Sequence, residues 1–359
     1  MAMKSMLRAA MVAAGVLGLA TAAAAQDKTK VGFVYVGPIG DHGWSHQHHQ
    51  GLLAVQKEFG DKVETTHVEN VGEGPDAERV IDQLAAQGHK IIFTTSFGFM
   101  NPTLRVAQRY PNVKFEHISG YRRADNVANA NIRYYEGRYI AGILAAKASK
   151  SGTIGYIASF PIPEVIMGIN AAYLGAKSVN PNIQFKIVWV STWFDPGKEA
   201  DAAKALADQG ADVLFQHTDS PAAPRFAEER KIFAIGQASD MKPFAPNAIL
   251  TSLVNNWAPY YIARVKAVKD GSWKTGNTWE GLAAGMLRLA DYGPGVSAEA
   301  RVLADAARDK IIKGELHPFT GPLNKQDGTQ FLKAGEKISD GDLAGMNFYV
   351  QGIDGALPR

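Results

Sequence analysis

Short apolar runs rich in β-branched residues alternate with helical patterns along most of the chain. Strands are predicted at 31–36, 63–68, 90–95, 113–118, 153–158, 184–190, 213–217, 232–235 and 249–253. Helical patterns lie at 44–59, 76–87, 102–110, 136–150, 165–179, 197–209, 259–269 and 298–313. Connections of a few residues between strand and helix are typical of right-handed crossovers in a parallel sheet. The pattern predicts an α/β fold with two parallel sheets, each covered by helices.

The length of the chain indicates two lobes, because 359 residues exceed what one hydrophobic core usually serves. The helical pattern that ends before Ser151 and Gly152 is where we expect the chain to change lobe. The first lobe is predicted at 26–150 with a return segment of about 254–318, and the second at 151–253 with about 319–350. The sequence has no Pro-rich or low-complexity linker, so several short crossings should form a hinge.

The first 25 residues have the composition of a signal peptide. Lys4 and Arg8 precede an apolar run at 9–19, and small residues lead to an alanine-rich cleavage pattern before Gln26. A membrane-spanning anchor is the alternative, but it needs about 20 apolar residues. We therefore expect a periplasmic protein that is not inserted in the membrane. The chain has no cysteine, so neither a lipid anchor on cysteine nor a disulfide is expected.

Two glycine-containing loops each combine an acid with a large aromatic residue just before a helix. The first holds Asp41 and Trp44, and the second holds Trp193, Phe194 and Asp195. Trp44 would come from the first lobe and Trp193 from the second, so closure of the hinge could place a planar ring between them. The alternatives are that both tryptophans belong to the core and that Asp41 only caps the helix beginning near Trp44.

Further candidate lining residues follow strands of the predicted parallel series. Ligands bind beyond the carboxyl ends of such strands, where neighbouring loops diverge. Each candidate could instead be a surface cap or turn residue. They are Ser96, Phe97, Asn101, Glu164, Asp219 and Asp240.

Other classes of function lack a sequence signal. The net charge is only +3 and no basic block is present, so nucleic acid is not an expected partner. His42, His46, His48 and His49 have helical spacing, but no Cys or Glu completes a metal site nearby. The sequence contains neither a nucleophile elbow nor a zinc-protease motif. We expect a monomeric binding protein without catalytic residues, metal or cofactor.

Several motifs together resemble the basic membrane protein family of ABC-transporter substrate-binding proteins, which includes purine nucleoside receptors. The resemblance covers about residues 30–349. It is carried by 41–45, where the family usually shows Asp-Lys-Ser-Phe-Asn, by Asn126 and 136–142, and by Gly175-Ala176, Asn180-Pro181, 192–196 and 249–252.

This resemblance implies a two-lobed type I periplasmic binding protein fold. It also implies that a purine base lies between Trp44 and Trp193, with Asp41 accepting hydrogen bonds from ring nitrogens or an exocyclic amine. The implied partners are an inner-membrane ABC permease and its ATPase. A periplasmic sensor that presents its liganded form to a receptor is the alternative, and a secreted nucleosidase is a third possibility without a recognisable aspartate cluster.

The sequence departs from the nucleoside receptors at two positions that hold ribose hydroxyls. The family's acid and lysine are replaced by Ala238 and Asn255. Hydrogen bonds to charged groups contribute about 1.5–3 kcal/mol each, so losing two removes much of the advantage of a nucleoside. We expect a free base such as adenine, hypoxanthine or guanine to bind better than its nucleoside. Nucleoside binding is the alternative, in which Asp240 replaces the missing acid.

Overall fold

The computed structural model describes residues 28–358. The predicted signal peptide, residues 1–25, lies outside this range. The strands are β1 Thr29–Tyr35, β2 Val63–Val68, β3 Ile91–Thr95, β4 Lys114–Ile118, β5 Val127–Ile132, β6 Thr153–Ala158, β7 Gln184–Trp189, β8 Val213–His217, β9 Phe233–Ala238, β10 Ile249–Asn255, β11 Asn277–Glu280, β12 Leu287–Leu289, β13 Leu323–Asn324 and β14 Gln330–Leu332.

The helices lie between these strands. They are α1 Trp44–Phe59, α2 Pro75–Ala86, α3 Met100–Arg109, α4 Tyr134–Ala148, α5 Pro163–Lys177, α6 Pro196–Asp208, α7 Ala222–Arg230, α8 Ala258–Lys269, α9 Ala298–Ile312 and α10 Asp340–Ala344. Within the described range, no helix is both long and apolar enough to cross a bilayer.

Two six-stranded sheets form the centre of the molecule. The first has the strand order β11-β5-β4-β3-β1-β2, and all of its pairings are parallel. The second has the order β12-β10-β9-β8-β6-β7 and is parallel except for β12, which runs antiparallel to β10. Both sheets are covered by amphipathic helices such as α2, which buries Val80, Ile81 and Leu84. The α/β prediction is confirmed.

The chain changes sheet earlier than the sequence suggested. The prediction placed this change near Ser151 and gave the segment 254–318 to the first lobe. In the structure α4 already packs against α5 and against β9 and β10 of the second sheet. In the later segment β11 joins the first sheet, whereas β12 joins the second. The Ser151 turn therefore ends a helix of the second sheet, and the crossing lies between β5 and α4.

Two glycines explain why α4 and α5 lie so close. A Cβ at Gly142 would overlap the backbone of α5 at Ala172, and a Cβ at Gly175 would overlap the backbone of α4 at Tyr139. Both glycines belong to the sequence motifs described above. Small residues at a helix crossing let the backbones approach, so these positions serve packing rather than ligand contact.

The carboxyl ends of the two sheets face each other, and the lobes touch there. The Trp44 backbone N–H donates a hydrogen bond to Asp219 Oδ1 at 3.1 Å. The Ser239 hydroxyl donates to the His42 carbonyl oxygen, and the His42 ring lies 4.8 Å from that of Phe244. The lobes are therefore in contact around a cleft at the sheet ends, where a ligand is expected in this type of fold.

Candidate functional site

A cavity between the two sheet ends holds six of the predicted site residues. It has about 390 Å³ of space not filled by protein atoms. The predicted residues that line it are Trp44, Ser96, Phe97, Glu164, Trp193 and Asp219. The other lining residues, which sequence reasoning missed, are Val36, Ser119, Ile162, His217 and Gln237.

Trp44 stands on the first turn of α1 and is held on several sides. Its indole N–H donates to the Thr95 carbonyl oxygen at 2.6 Å. Its ring meets His48 edge-to-face at 4.4 Å and Trp257 at 6.0 Å. Burial lowers the pKa of His48, so this supporting ring is neutral. Trp44 is thus an oriented aromatic wall of the cavity.

Trp193 lies in the irregular segment between β7 and α6. Its ring is tilted against Phe160 at 5.0 Å. Its indole nitrogen Nε1 has no hydrogen-bond partner among residues 28–358. Asp195 caps α6 by accepting a hydrogen bond from the Lys198 backbone N–H, which fixes the end of this segment. Trp193 is therefore placed mainly by packing and by the cap that follows it.

Asp219 connects the two tryptophan segments. Its carboxylate accepts from the Trp44 backbone N–H, and its own backbone N–H donates to the Trp193 carbonyl oxygen at 3.0 Å. Burial raises the pKa of Asp219 well above its usual range, and the nearby carboxyls of Asp41 and Glu199 add to the shift. A ligand N–H group pointing at this carboxyl would offset part of that cost.

Glu164 and His217 form a second polar group in the cavity. His217 Nε2 lies 3.6 Å from Glu164 Oε1, and the other ring nitrogen lies 3.4 Å from the Tyr156 hydroxyl. Burial lowers the pKa of His217, which favours the neutral imidazole. Within the described chain, Glu164 Oε2 has no hydrogen-bond partner although it is buried. This oxygen is an acceptor available to a ligand.

Glu199 on α6 holds the second lobe's loops in place. Its carboxylate accepts from the Thr218 hydroxyl at 2.9 Å, from the Ser220 backbone N–H at 3.1 Å and from the Asp195 backbone N–H at 3.1 Å. Burial raises the pKa of Glu199 to about 7. One carboxyl therefore braces the segments on both sides of Asp219 and the end of the Trp193 segment.

Left-handed backbone conformations cluster at the cleft. Ser119 has φ +71°, Ser191 +53° and Ala238 +62°, and each lies at or just after the carboxyl end of a strand. His42, with φ +62°, lies at the lobe contact. Such conformations cost of order 1 kcal/mol in residues other than glycine and concentrate at functional sites.

Asp41 caps the start of α1, which was the alternative interpretation of this residue. It is fully buried, and its carboxylate accepts hydrogen bonds from the backbone N–H groups of Gly43, Ser45 and His46 at 2.8–2.9 Å. It is not among the cavity-lining residues. The expected role of Asp41 as a direct acceptor for a ring N–H is therefore corrected, because backbone donors at the start of α1 occupy its oxygens.

Four other predicted residues lie outside the cavity lining. Asn101 is exposed and accepts a hydrogen bond from Arg122 at 2.8 Å. Asp240 is exposed and accepts from the Lys242 backbone N–H at 3.0 Å. Asn255 is buried at the end of β10. Phe194 lines a neighbouring space of about 530 Å³ that shares Trp193 and Asp219 with the candidate site.

The missed polar residues had a detectable signal. His217 and Gln237 lie at or near the ends of strands whose other residues are almost all apolar, and both are buried. A polar residue in the last positions of a continuously buried strand indicates the ligand end of a parallel sheet. The sequence interpretation considered only the residues that follow the strands.

The arrangement is suited to binding a small planar molecule. Aromatic faces from both lobes border a cavity that also presents two carboxyls, an amide and a neutral imidazole. Apolar pockets with a few convergent polar groups are typical of small-molecule sites. In the part of the chain that the structure describes, no group of three or more His, Asp or Glu side chains could hold a metal ion.

Two curated proteins are similar to this chain over most of its length. The chain is 55% identical over 351 residues to a purine-binding protein of Brucella abortus (strain 2308), covering 97% of this chain and all of that protein. It is 38% identical over 326 residues to a Haloferax volcanii ABC transporter protein whose name proposes glucose as its ligand, covering 91% and 80% of the two chains.

The fold is shared with solved solute-binding proteins. An ABC transporter solute-binding protein from Aeropyrum pernix K1 superposes with a TM-score of 0.71 at 22% identity, over 80% of this chain and 92% of that one. The architecture is that of the type I periplasmic binding proteins. Residues 28–317 match the Bmp family, described as ABC transporter substrate-binding protein PnrA-like. The chain therefore belongs to the Bmp family of ABC transporter substrate-binding proteins.

Proposed function

We propose that this protein is the periplasmic component of an ABC importer and that it binds a purine, as the free base rather than the nucleoside. The observation that carries the proposal is that Trp44 and Trp193, from opposite lobes, line one cavity together with Asp219 and Glu164. Stacking on an aromatic side chain contributes about 1–3 kcal/mol per base. Carboxyls in the same cavity accept hydrogen bonds from ring N–H and amino groups.

The name of the Brucella relative supports a purine ligand. At 55% identity over nearly the whole length of both chains, a shared class of ligand is expected. The name of the Haloferax relative favours a sugar instead, and tryptophan faces also pack against sugar rings. Glucose is therefore the competing ligand in any binding test.

The preference for a free base rests on the lack of a charged anchor for ribose. Ala238 and Asn255 supply no charge to ribose hydroxyls, and the exposed Asp240 is used by its own loop. A neighbouring space that could take a ribose shares Phe97, Ser119 and Glu164 with the site, so nucleosides belong in the same titration.

Calorimetric titration with adenine, hypoxanthine, guanine, their nucleosides and glucose tests the proposal. We expect at least one base to bind at least tenfold more tightly than its nucleoside, and glucose to give no heat of binding. Nucleosides binding tenfold more tightly than bases would reverse the preference. Binding of glucose alone would replace the purine proposal with a sugar-binding one.

Location and transport role are tested separately. Mass spectrometry of the periplasmic protein should show a mature chain that begins at or near Gln26, and a full-length chain retained in the membrane would contradict export. Deleting the gene should abolish uptake of radiolabelled base. Normal uptake combined with loss of a transcriptional response to purines would favour the sensor alternative.

A further inference from the structure

Gln237 lines the cavity, and a hydrogen bond on the side away from the cavity orients its side-chain amide. It lies on β9, and only 2% of its surface is exposed. Arg138 Nη2 donates a hydrogen bond to Gln237 Oε1 and another to the Gln216 carbonyl oxygen at 2.9 Å. A guanidinium has only donors, so the amide oxygen of Gln237 must face it. The amide nitrogen Nε2 is then the group left for the cavity.

Arg138 is a buried cation whose nearest carboxyl interaction, with Glu164, is not a direct ion pair. It is fully buried on α4, against the rings of Tyr156 at 5.3 Å and Phe215 at 5.9 Å. Among residues 28–358 it forms no ion pair, and its Nε and Nη1 atoms have no hydrogen-bond partner. Burying an unpaired charge costs several kcal/mol, which points to a functional role.

The positive charge also changes the chemistry of the amide. A charge-assisted hydrogen bond to the carbonyl oxygen draws electron density away from the amide N–H groups and strengthens them as donors. A strengthened donor in a buried cavity needs an acceptor, and a 6-carbonyl oxygen of a purine is one such acceptor. An amino group at the same place would leave two donors facing each other, and both would lose a partner.

We propose that the 6 position of the purine faces Gln237, that Gln237 is the specificity-determining donor with Arg138 as its positioning residue, and that together they select 6-oxopurines over 6-aminopurines. Asp219 and Glu164 accept from the remaining N–H groups of the ring. This inference rests on the proposed purine-binding function and narrows it to hypoxanthine, guanine and related bases.

The test compares hypoxanthine, adenine and unsubstituted purine, which differ in the group at the 6 position, and of which hypoxanthine also carries a proton on N1. Calorimetry on the mature protein should show hypoxanthine binding at least about tenfold more tightly than the other two, equivalent to ~1.4 kcal/mol. Gln237→Met keeps a similar length but removes the donor. In this variant the preference for hypoxanthine over adenine should fall by about fivefold or more, and any preference that remains reflects the N1–H.

Arg138 is tested by the same ratio rather than by overall affinity. Arg138→Met should reduce the preference for hypoxanthine over adenine, because the amide of Gln237 can then turn over. Arg138→Lys can still donate to Gln237 Oε1 and should restore part of the preference. A purely structural role would lower the affinities for all three ligands together. If Arg138→Met does not fold, Gln237→Met and Arg138→Lys still decide the matter.

The outcomes separate this inference from the proposed function. If the wild-type protein binds none of the three purines, both fall. If it binds purines but adenine is bound as tightly as hypoxanthine, or if Gln237→Met leaves their ratio unchanged, the inference is overturned while purine binding stands.

Discussion

The two tryptophans of the cavity differ in how firmly they are held. Trp44 stands on a helix, donates its indole N–H to Thr95 and packs edge-to-face on His48 and Trp257. Trp193 stands on an irregular segment, and its indole nitrogen has no hydrogen-bond partner in the described chain. The two walls of one site are therefore built differently.

The polar side chains of the cavity are also distributed unequally between the two lobes. The first lobe contributes Trp44, Phe97 and small residues, whereas Glu164, His217, Asp219 and Gln237 all come from the second lobe. In the proposed function, the first lobe would supply a rigid stacking surface, and the second lobe would add Trp193 and the polar groups that meet the edge of the ligand. Rigid aromatic surfaces lose little entropy on binding, whereas edge recognition needs donors and acceptors at defined positions.

The largest expected effect is that of removing the rigid wall. Trp44→Ala should weaken base binding by about 2–3 kcal/mol, or about 30–150-fold, because the stacking surface is lost. Trp193→Ala should lower the affinity only about tenfold, because Phe160, which packs against Trp193, can move into the space that the indole leaves. Calorimetric affinities measure both. Equal losses would show that the two walls are equivalent and would break the comparison.

The contact between the lobes should be nearly as sensitive. A Cβ at Gly43 would lie 2.5 Å from the Asp219 carbonyl oxygen and 2.8 Å from its Cα, so Gly43→Ala prevents full approach of the lobes. We expect a loss of about 2 kcal/mol, or about 30-fold in affinity.

A matched control lies three residues away in the same loop. Among residues 28–358, no atom beyond its own chain neighbours lies within 4 Å of a Cβ built at Gly40, so Gly40→Ala should bind normally. Small-angle scattering with saturating ligand should show a larger radius of gyration for Gly43→Ala than for Gly40→Ala. Equal radii and equal affinities would show that the loop tolerates a side chain at the lobe contact.

Phenylalanine substitutions sharpen the comparison between the walls. Trp44→Phe removes the hydrogen bond to Thr95 and should cost about 1 kcal/mol, or about fivefold in affinity. Trp193→Phe removes an indole nitrogen without a described partner and should change affinity by about twofold or less. Parallel titrations decide, and the prediction fails if Trp193→Phe is the more damaging change.

The smallest effect on affinity is expected at Glu199, where the readout is stability against pH. Burial raises its pKa to about 7 from 4.5, so the folded protein keeps a proton that the unfolded chain has lost. Its contribution to stability is therefore present below about pH 4.5 and is lost as pH rises toward 7. Glu199→Gln removes this titration.

Denaturant unfolding at pH 4.5 and pH 7.5 measures the Glu199 contribution. The free energy of unfolding of wild type minus that of Glu199→Gln should decrease by on the order of 1–3 kcal/mol across this range. A difference that stays constant with pH would show that Glu199 titrates normally in the folded protein.

Much of the fold followed from local pattern, but β5, β11 to β14, α7 and α10 were not predicted. Strand β5 was missed because its residues include two alanines and two asparagines, which have low strand propensity. It is nevertheless buried between β4 and β11, and the Asn129 side chain donates to the Gly120 carbonyl oxygen. Tertiary contacts override propensity at such positions, and no local pattern shows them.

The sequence predicted a site residue correctly where its position after a strand is enough to place it in the cavity. It failed where the direction of the side chain determines whether the residue faces the cavity. Trp44, Trp193, Glu164 and Asp219 line the cavity. Asp41 occupies the right loop, but its carboxylate turns toward backbone N–H groups at the start of α1. Whether an acid after a strand caps a helix or faces the cleft depends on the local backbone path.

The segment His42–Trp44 has a kinetic consequence. It carries the stacking ring, and it also contains the His42 carbonyl and the Trp44 N–H that bind the second lobe. Opening the lobes therefore breaks both hydrogen bonds and separates the Trp44 ring from the Trp193 ring in the same movement. Release of a base should require this opening, and contacts that a base makes across the cleft should slow it, so affinity differences should lie mainly in residence time. A permease that separates the lobes would break those contacts for every base.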